Sequence, residues 1–139
     1  MKVIELAKSV KTTVHTVRFY TKNGLLSPSK DLTNGYKYYS QKDLHRLKFI
    51  LSARELGFSV KDIQKIINES EKGKTACPLV RNIIEERLNE TEKNFQETLA
   101  LRKKMKNAIT KWKLKPNLEP TGFMICHLIE DFINNEQNL

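Results

Sequence analysis

The stretch VIELAKSVKTTVHTVRFYTKNG, residues 3–24, decides the fold of this chain. Val3, Leu6, Ala7 and Val10 recur at i, i+3, i+4 and i+7, so residues 3–9 are expected to form a short amphipathic helix. Thr13 stands where the next helix wants an N-cap, its hydroxyl able to accept an unpaired backbone N–H. Val14, Val17 and Thr21 give that second helix an inward face, and Asn23-Gly24 closes it with residues that tolerate a left-handed terminus. Two short helices joined by a tight turn make a helix-turn-helix candidate. Alone, that signal is weak.

The residues beyond Gly24 sharpen it. Pro28 ends the helical possibilities, and Asn34-Gly35 is a strong hairpin signal leading into Tyr36-Lys37-Tyr38-Tyr39, a run of good strand propensity. A hairpin directly after the second helix reads as a wing, in which Lys37 and the tyrosine hydroxyls offer groups for phosphate oxygens. One or two of the tyrosines are expected to pack the wing onto the head. Two more helices open with one device: Ser40 precedes Asp43 and Ser59 precedes Asp62 at capping-box spacing, with Asp in place of the preferred Glu. Leu44, Leu47 and Leu51 are the expected buried face of the first, and Val60, Ile63 and Ile67 that of the second. Leu56-Gly57-Phe58 makes the turn between them, with Phe58 plugging the core, and this is a second helix-turn-helix.

After Pro78 neither Gly nor Pro occurs up to Trp112. A 3-4 spacing runs through Ile84, Leu88, Thr91, Phe95, Thr98, Arg102, Met105, Ile109 and Trp112, a coiled-coil seam with polar interruptions. Such a helix, about 35 residues long, extends roughly 50 Å at its usual rise. So short a chain cannot cover it, and pairing with a second copy, parallel or antiparallel, is the simplest way to bury the stripe. Pro116 and Pro120 bracket a loop from Lys113 to Met124, and Leu128, Ile129, Phe132 and Ile133 suggest a last short helix. Residues 1–70 are therefore expected to form one head, 71–112 a linker and dimerisation helix, and 113–139 a loop and short helix.

Charge divides along the same lines. The chain of 139 residues carries a formal charge of +9. Residues 1–70 hold 13 Lys and Arg against 6 Asp and Glu, whereas residues 113–139 hold 2 against 4. A basic head and an acidic tail imply that the head meets a polyanion. On charge alone this is DNA, RNA or an anionic membrane surface. No apolar run approaches a membrane span and no signal-peptide pattern opens the sequence, so a cytoplasmic protein without membrane attachment is expected. There is no Gly-rich phosphate loop, Cys-x-x-Cys or carboxylate pair with a pocket signature, which speaks against an enzyme. An architectural or RNA-binding protein is the stronger rival.

With its elements in place the head resembles the MerR family of transcriptional regulators. The resemblance is carried by Val3-Ile4-Glu5-Leu6-Ala7-Lys8, Thr13 to Tyr20, Asn23-Gly24-Leu25-Leu26, Asn34 to Tyr39, and Ala53 to Ser59. It implies a mainly α fold: a winged helix-turn-helix head, a long antiparallel coiled-coil dimerisation helix, and a short C-terminal effector loop and helix. It further implies a homodimer on palindromic double-stranded promoter DNA, which acts on RNA polymerase indirectly by distorting an over-long spacer. Carried over by position, Thr13, His15, Thr16, Arg18, Phe19 and Tyr20 belong to the recognition helix and its cap. Tyr36, Lys37 and Tyr39 match wing positions that hold phosphates, and Arg54 matches a second-wing phosphate contact. Thr21 stands where the family often has an acidic residue.

The metal-sensing branch of that family places a Cys at the start of the dimerisation helix, and Cys77-Pro78-Leu79 looks like that position. Pro78 suits a first helical turn, which puts Cys77 at or beside the N-cap, where the helix dipole favours thiolate. Met124-Ile125-Cys126-His127-Leu128-Ile129-Glu130 resembles the branch's second Cys motif, with His127 replacing a small residue or proline. Residues 113–125 depart from the branch in containing neither Cys nor His. Three readings stay open. Cys77 of one subunit joins Cys126 and His127 of the other around a thiophilic ion, zinc-like or heavier; or the two cysteines form a reversible disulfide that senses oxidants or electrophiles; or both are structural, with an organic effector or none. His15 and His45 are read as remote from both cysteines, the first facing DNA and the second simply a surface residue.

Overall fold

The computed structural model describes residues 1–137; Asn138 and Leu139, at the end of the expected effector tail, and the side chains of residues 133–137, Ile133 among them, lie outside what it describes. The elements are α1 (Val3–Ser9), α2 (Val14–Lys22), β1 (Ser29–Lys30), β2 (Lys37–Tyr38), α3 (Gln41–Glu55), α4 (Val60–Glu71), α5 (Cys77–Trp112) and α6 (His127–Gln137). The chain divides into two units, Met1–Leu88 and Asn89–Leu139.

In the first unit α1 and α2 form the expected helix-turn-helix. Thr13 Oγ1 accepts the Thr16 N–H at 3.1 Å, which satisfies one of the free donors at the start of α2. The turn before it is closed by Lys11 at φ 56, a left-handed position that a side chain occupies at some cost. Gly24 takes the corresponding position after α2 at φ 79, where no such cost arises.

The wing forms, with shorter strands and a wider turn than the sequence implies. β1 and β2 pair antiparallel, Ser29 opposite Tyr38 and Lys30 opposite Lys37. A two-residue type I′ turn would need positive φ at both Asn34 and Gly35, and only Gly35 has it, at φ 73. The chain instead closes a wider loop, in which Gly35 N–H donates to Asp31 O at 2.8 Å and Asp31 N–H to Tyr36 O at 2.9 Å.

Asp43 anchors this wing at both ends. Its buried carboxylate accepts Ser40 N–H at 3.0 Å through one oxygen and Ser27 N–H at 3.0 Å through the other. The first bond belongs to the capping box and follows from spacing. The second joins the segments before β1 and after β2, and nothing in the local sequence announces it. An Asp43→Ala change strands these donors and should lower head stability by about 1–3 kcal/mol, read as a drop in the urea midpoint.

The core is centred on Leu6, Val17, Leu25, Leu47, Ile50 and Ile63, all fully buried, with Phe58 inserted as expected. Within α3 and α4 the most buried line is displaced from the expected one. Ile50 and Ile66 are buried, while Leu44, Leu51 and Val60 are half-buried at its margin. The apolar stripe on each helix is wide enough for several lines, and the packing partner selects one. The first turns of α5 belong to this unit: Ile83 is buried in the core, and Leu79, Val80 and Ile84 pack against it. Asp62 caps α4, its carboxylate accepting Ser59 N–H at 2.9 Å, and lies 3.2 Å from Arg87 Nε on α5. Burial raises the Asp62 pKa, but the Ser59 hydrogen bonds and the charges of Arg87 and Lys65 together hold it below its ordinary 3.8. The carboxylate is ionised at neutral pH.

α5 has 36 residues, so it runs about 54 Å. In the second unit Phe95, Leu99, Leu101, Met105 and Ile109 on this helix are all exposed, Phe95 by 57%. Of the expected stripe, Leu88, Phe95, Met105 and Ile109 are exposed, whereas Ile84 packs against the core of the first unit. In the tail, Trp112 meets Phe132 edge to face at 6.2 Å. No helix among the described residues is long and apolar enough to cross a membrane.

Candidate nucleic-acid interface and sensor thiols

A cleft of about 670 Å³ opens between α1, α2 and the wing, lined among others by Lys2, Arg18, Lys22, Tyr36 and Lys37. Four cations and an exposed tyrosine around one concavity suit a polyanionic backbone. Lys2 Nζ lies 5.6 Å from the centre of the Tyr36 ring, which links the start of α1 to the wing. Cross-strand pairing sets Lys30 directly opposite Lys37. Like charges opposite one another weaken a hairpin, so this pair is costly until an anion is present.

The expected contact residues divide into two groups. His15, Arg18, Phe19, Tyr36, Lys37 and Arg54 are exposed and available to a ligand. Tyr20 and Tyr39 are buried, at 6% and 4% exposure, and belong to the core. The Tyr39 hydroxyl lies 2.7 Å from Thr21 Oγ1, and its backbone exchanges hydrogen bonds with Met1. Tyr20 packs within the core, whereas Tyr39, though 4% exposed, still lines the cleft beside Tyr36. Thr13 and Thr16 spend their hydroxyls on one another at 2.9 Å. Arg54 donates from Nη1 to Phe58 O at 2.9 Å and so also braces the α3–α4 turn. Lys2, Lys22 and Lys30 were missed by the sequence reading. Lys22 was findable, four residues after Arg18 and on its face; Lys2 reaches the cleft, and Lys30 the strand beside it, only through the fold.

A second groove, of about 700 Å³, lies among α3, α4 and the start of α5, lined by residues including His45, Phe49, Ile66, Cys77, Val80 and Arg81. It corrects the reading of His45 as remote from both cysteines. His45 and Cys77 line the same groove, because α3 packs beside the segment that launches α5. Cys77 is exposed and is the first residue of α5, with its N–H donating to Thr75 Oγ1 at 3.3 Å.

In the second unit Cys126 is partly buried and directly precedes α6. Glu130 turns back to cap that helix, accepting Ile125 N–H at 3.1 Å and Cys126 N–H at 2.9 Å. His127 Nε2 donates to Pro116 O at 3.0 Å, and Nδ1 lies 3.7 Å from Asp131. Through Nε2 the ring straps the loop to the helix. Among the described residues no three His, Cys, Asp or Glu side chains of one chain cluster as a metal site.

A basic winged helix-turn-helix head continuous with a long, apolar-seamed helix defines a class of DNA-binding regulators. Residues 1–70 match the description "MerR HTH family regulatory protein", and residues 44–108 match "MerR, DNA binding". The chain belongs to the MerR family and is a DNA-binding transcriptional regulator, not an enzyme. It is 30% identical over 105 residues to the regulator ZntR homolog of Haemophilus influenzae, covering 76% of this chain and 78% of that one. It is 31% identical over 105 residues to ZntR of Escherichia coli K12, covering 75% and 74%. Among solved structures, PbrR691 from Ralstonia metallidurans in complex with lead(II) superposes with a TM-score of 0.71 at 21% identity, covering 94% of this chain and 98% of that one.

Proposed function

We propose that this regulator binds an inverted-repeat promoter as a homodimer and switches transcription, by distorting the promoter, in response to a thiophilic metal ion. The observation that carries the DNA half is the cleft bounded by Lys2, Arg18, Lys22 and Lys37, which joins the recognition helix to the wing. Arg18, His15 and Phe19 face base edges, while Lys37, Lys30, Tyr36 and Arg54 hold phosphates. Footprinting tests this: protection of one inverted repeat supports the reading, and uniform coating of any duplex overturns it. Arg18→Ala is expected to weaken operator binding by about 1–3 kcal/mol if it reads a base. Lys37→Ala is expected to flatten the plot of log K against log salt by roughly 0.9 for one lost phosphate contact. Unchanged affinity and slope in both variants would remove the cleft from the mechanism.

The donor chemistry supports the metal half. Cys77, exposed at a helix start, and Cys126, beside the backbone N–H groups that Glu130 gathers, are both free thiols. PbrR691, a fold relative, is known with bound lead(II), another thiophilic ion. Cys77 of one subunit and Cys126 of the other would hold the ion, which supplies a thiolate cross-link between subunits. His127 fits less well as a third ligand, because its Nε2 already holds Pro116 O. Two thiols fall short of the four donors usual for structural zinc and favour a softer ion. The promoter is bent by the DNA-binding heads, and RNA polymerase is engaged only through that altered DNA.

A further inference from the structure

One polar group interrupts the apolar contact between α4 and the start of α5. Val80, Ile83 and Ile84 pack against the core, and the same stripe continues to position 87. An aliphatic residue there would extend the packing; the chain has Arg87 instead. Its side chain is 27% exposed, and Nε lies 3.2 Å from Asp62 Oδ2, whose side chain is 7% exposed. Arg87 Nη2 also lies 3.5 Å from Glu86 on its own helix. The Asp62 carboxylate is itself held, because it accepts the Ser59 N–H at the first turn of α4.

An apolar stripe tolerates small slides and rotations, since one aliphatic contact replaces another at little cost. A charge pair with one buried member does so less readily, because sliding α5 away leaves the 7%-exposed Asp62 carboxylate desolvated without its cation. We infer that Asp62 and Arg87 are positioning residues: the pair locks α4 to the third turn of α5 and so fixes the spacing between half-sites that the dimer accepts. This rests on the homodimeric, inverted-repeat reading above. Neither residue needs to touch DNA. The pair acts inside the Met1–Leu88 unit, where it ties α4 to the first turns of α5 and contributes specificity of arrangement more than stability.

Asp62→Asn keeps an oxygen to accept the Ser59 N–H while removing the charge, and Arg87→Met keeps length and apolar volume. Each variant and the double variant are measured by fluorescence anisotropy on the footprinted duplex, on duplexes with one base pair added or removed between half-sites, and on a duplex holding a single half-site. Wild type should prefer its native spacing by about tenfold or more, because one base pair rotates a half-site by about 35°. Each single variant should lose at least about threefold of that preference while binding the single half-site as wild type does. The double variant should be no worse than either single one, as expected of one interaction removed twice. Arg87→Lys should regain part of the preference. Variants that keep the full preference, or that lose single half-site affinity in the same proportion, overturn the positioning role. A wild type that binds paired half-sites no better than one overturns the dimer reading, and this inference with it.

Discussion

A Phe95→Glu variant is expected to sediment as a monomer at concentrations where wild type is a dimer. Phe95 stands in the middle of a helix of 36 residues, 57% exposed, in line with Met105 and Ile109, which are exposed as well. An apolar stripe of that length is unusual on a protein that works alone. If two copies bury it, a glutamate at position 95 is desolvated without a partner in each of them. We expect a rise in the dimer dissociation constant of about a hundredfold or more, equivalent to about 2.7 kcal/mol. Operator affinity should fall with it, because a monomer engages one half-site. The head should stay folded, since its core lies within Met1–Leu88 and Phe95 lies outside it. Sedimentation velocity and anisotropy on the footprinted duplex give the two readings. A wild type that is monomeric at tens of micromolar would sink the palindromic-site argument, and a dimeric Phe95→Glu variant would move the interface off this seam.

The second large effect concerns the cysteines. Cys77→Ser and Cys126→Ser are each expected to abolish the transcriptional response to the inducing ion while leaving operator affinity within about twofold, since neither residue lines the cationic cleft. A serine hydroxyl stays protonated at neutral pH and is a hard donor, so a soft ion loses most of its affinity when either thiol is replaced. Binding should weaken as pH falls, because both thiols must release protons to coordinate. His127→Ala should leave the ion's affinity nearly unchanged while loosening the loop that Pro116 anchors. Titration of the reduced protein with copper(I), mercury(II), cadmium and zinc, followed by thiolate absorbance, ranks the ions. If both serine variants respond like wild type, the cysteines are structural and the sensor lies elsewhere.

Much of this protein is local and was open to reading from the chain. Thr13, Ser40 and Ser59 declare helix starts because a cap needs only a hydroxyl and a donor three residues on. The long helix follows from the absence of Gly and Pro after Pro78, and the basic head from counting charges. Motif order along residues 1–70 was enough to point to the family.

Other features depend on which segments the fold brings together, and no local pattern encodes that. Tyr20, Tyr36 and Tyr39 look alike in sequence; packing buries Tyr20 and Tyr39, leaves Tyr36 exposed, and sets Tyr36 and Tyr39 at the cleft. Asp43 looks like a cap, yet its second oxygen reaches Ser27, 16 residues away. His45 and Cys77, 32 positions apart, share a groove because α3 lies against the start of α5. His127 has the chemistry of a ligand, and the tail gives its ring to Pro116. Sequence alone determined the elements, their caps, their charge and their family, since hydrogen bonds and periodicities within one turn act over a few residues. The tertiary structure alone decided which polar groups face the ligand and which are spent on holding the fold, because burial and pairing are set by neighbours distant in the chain.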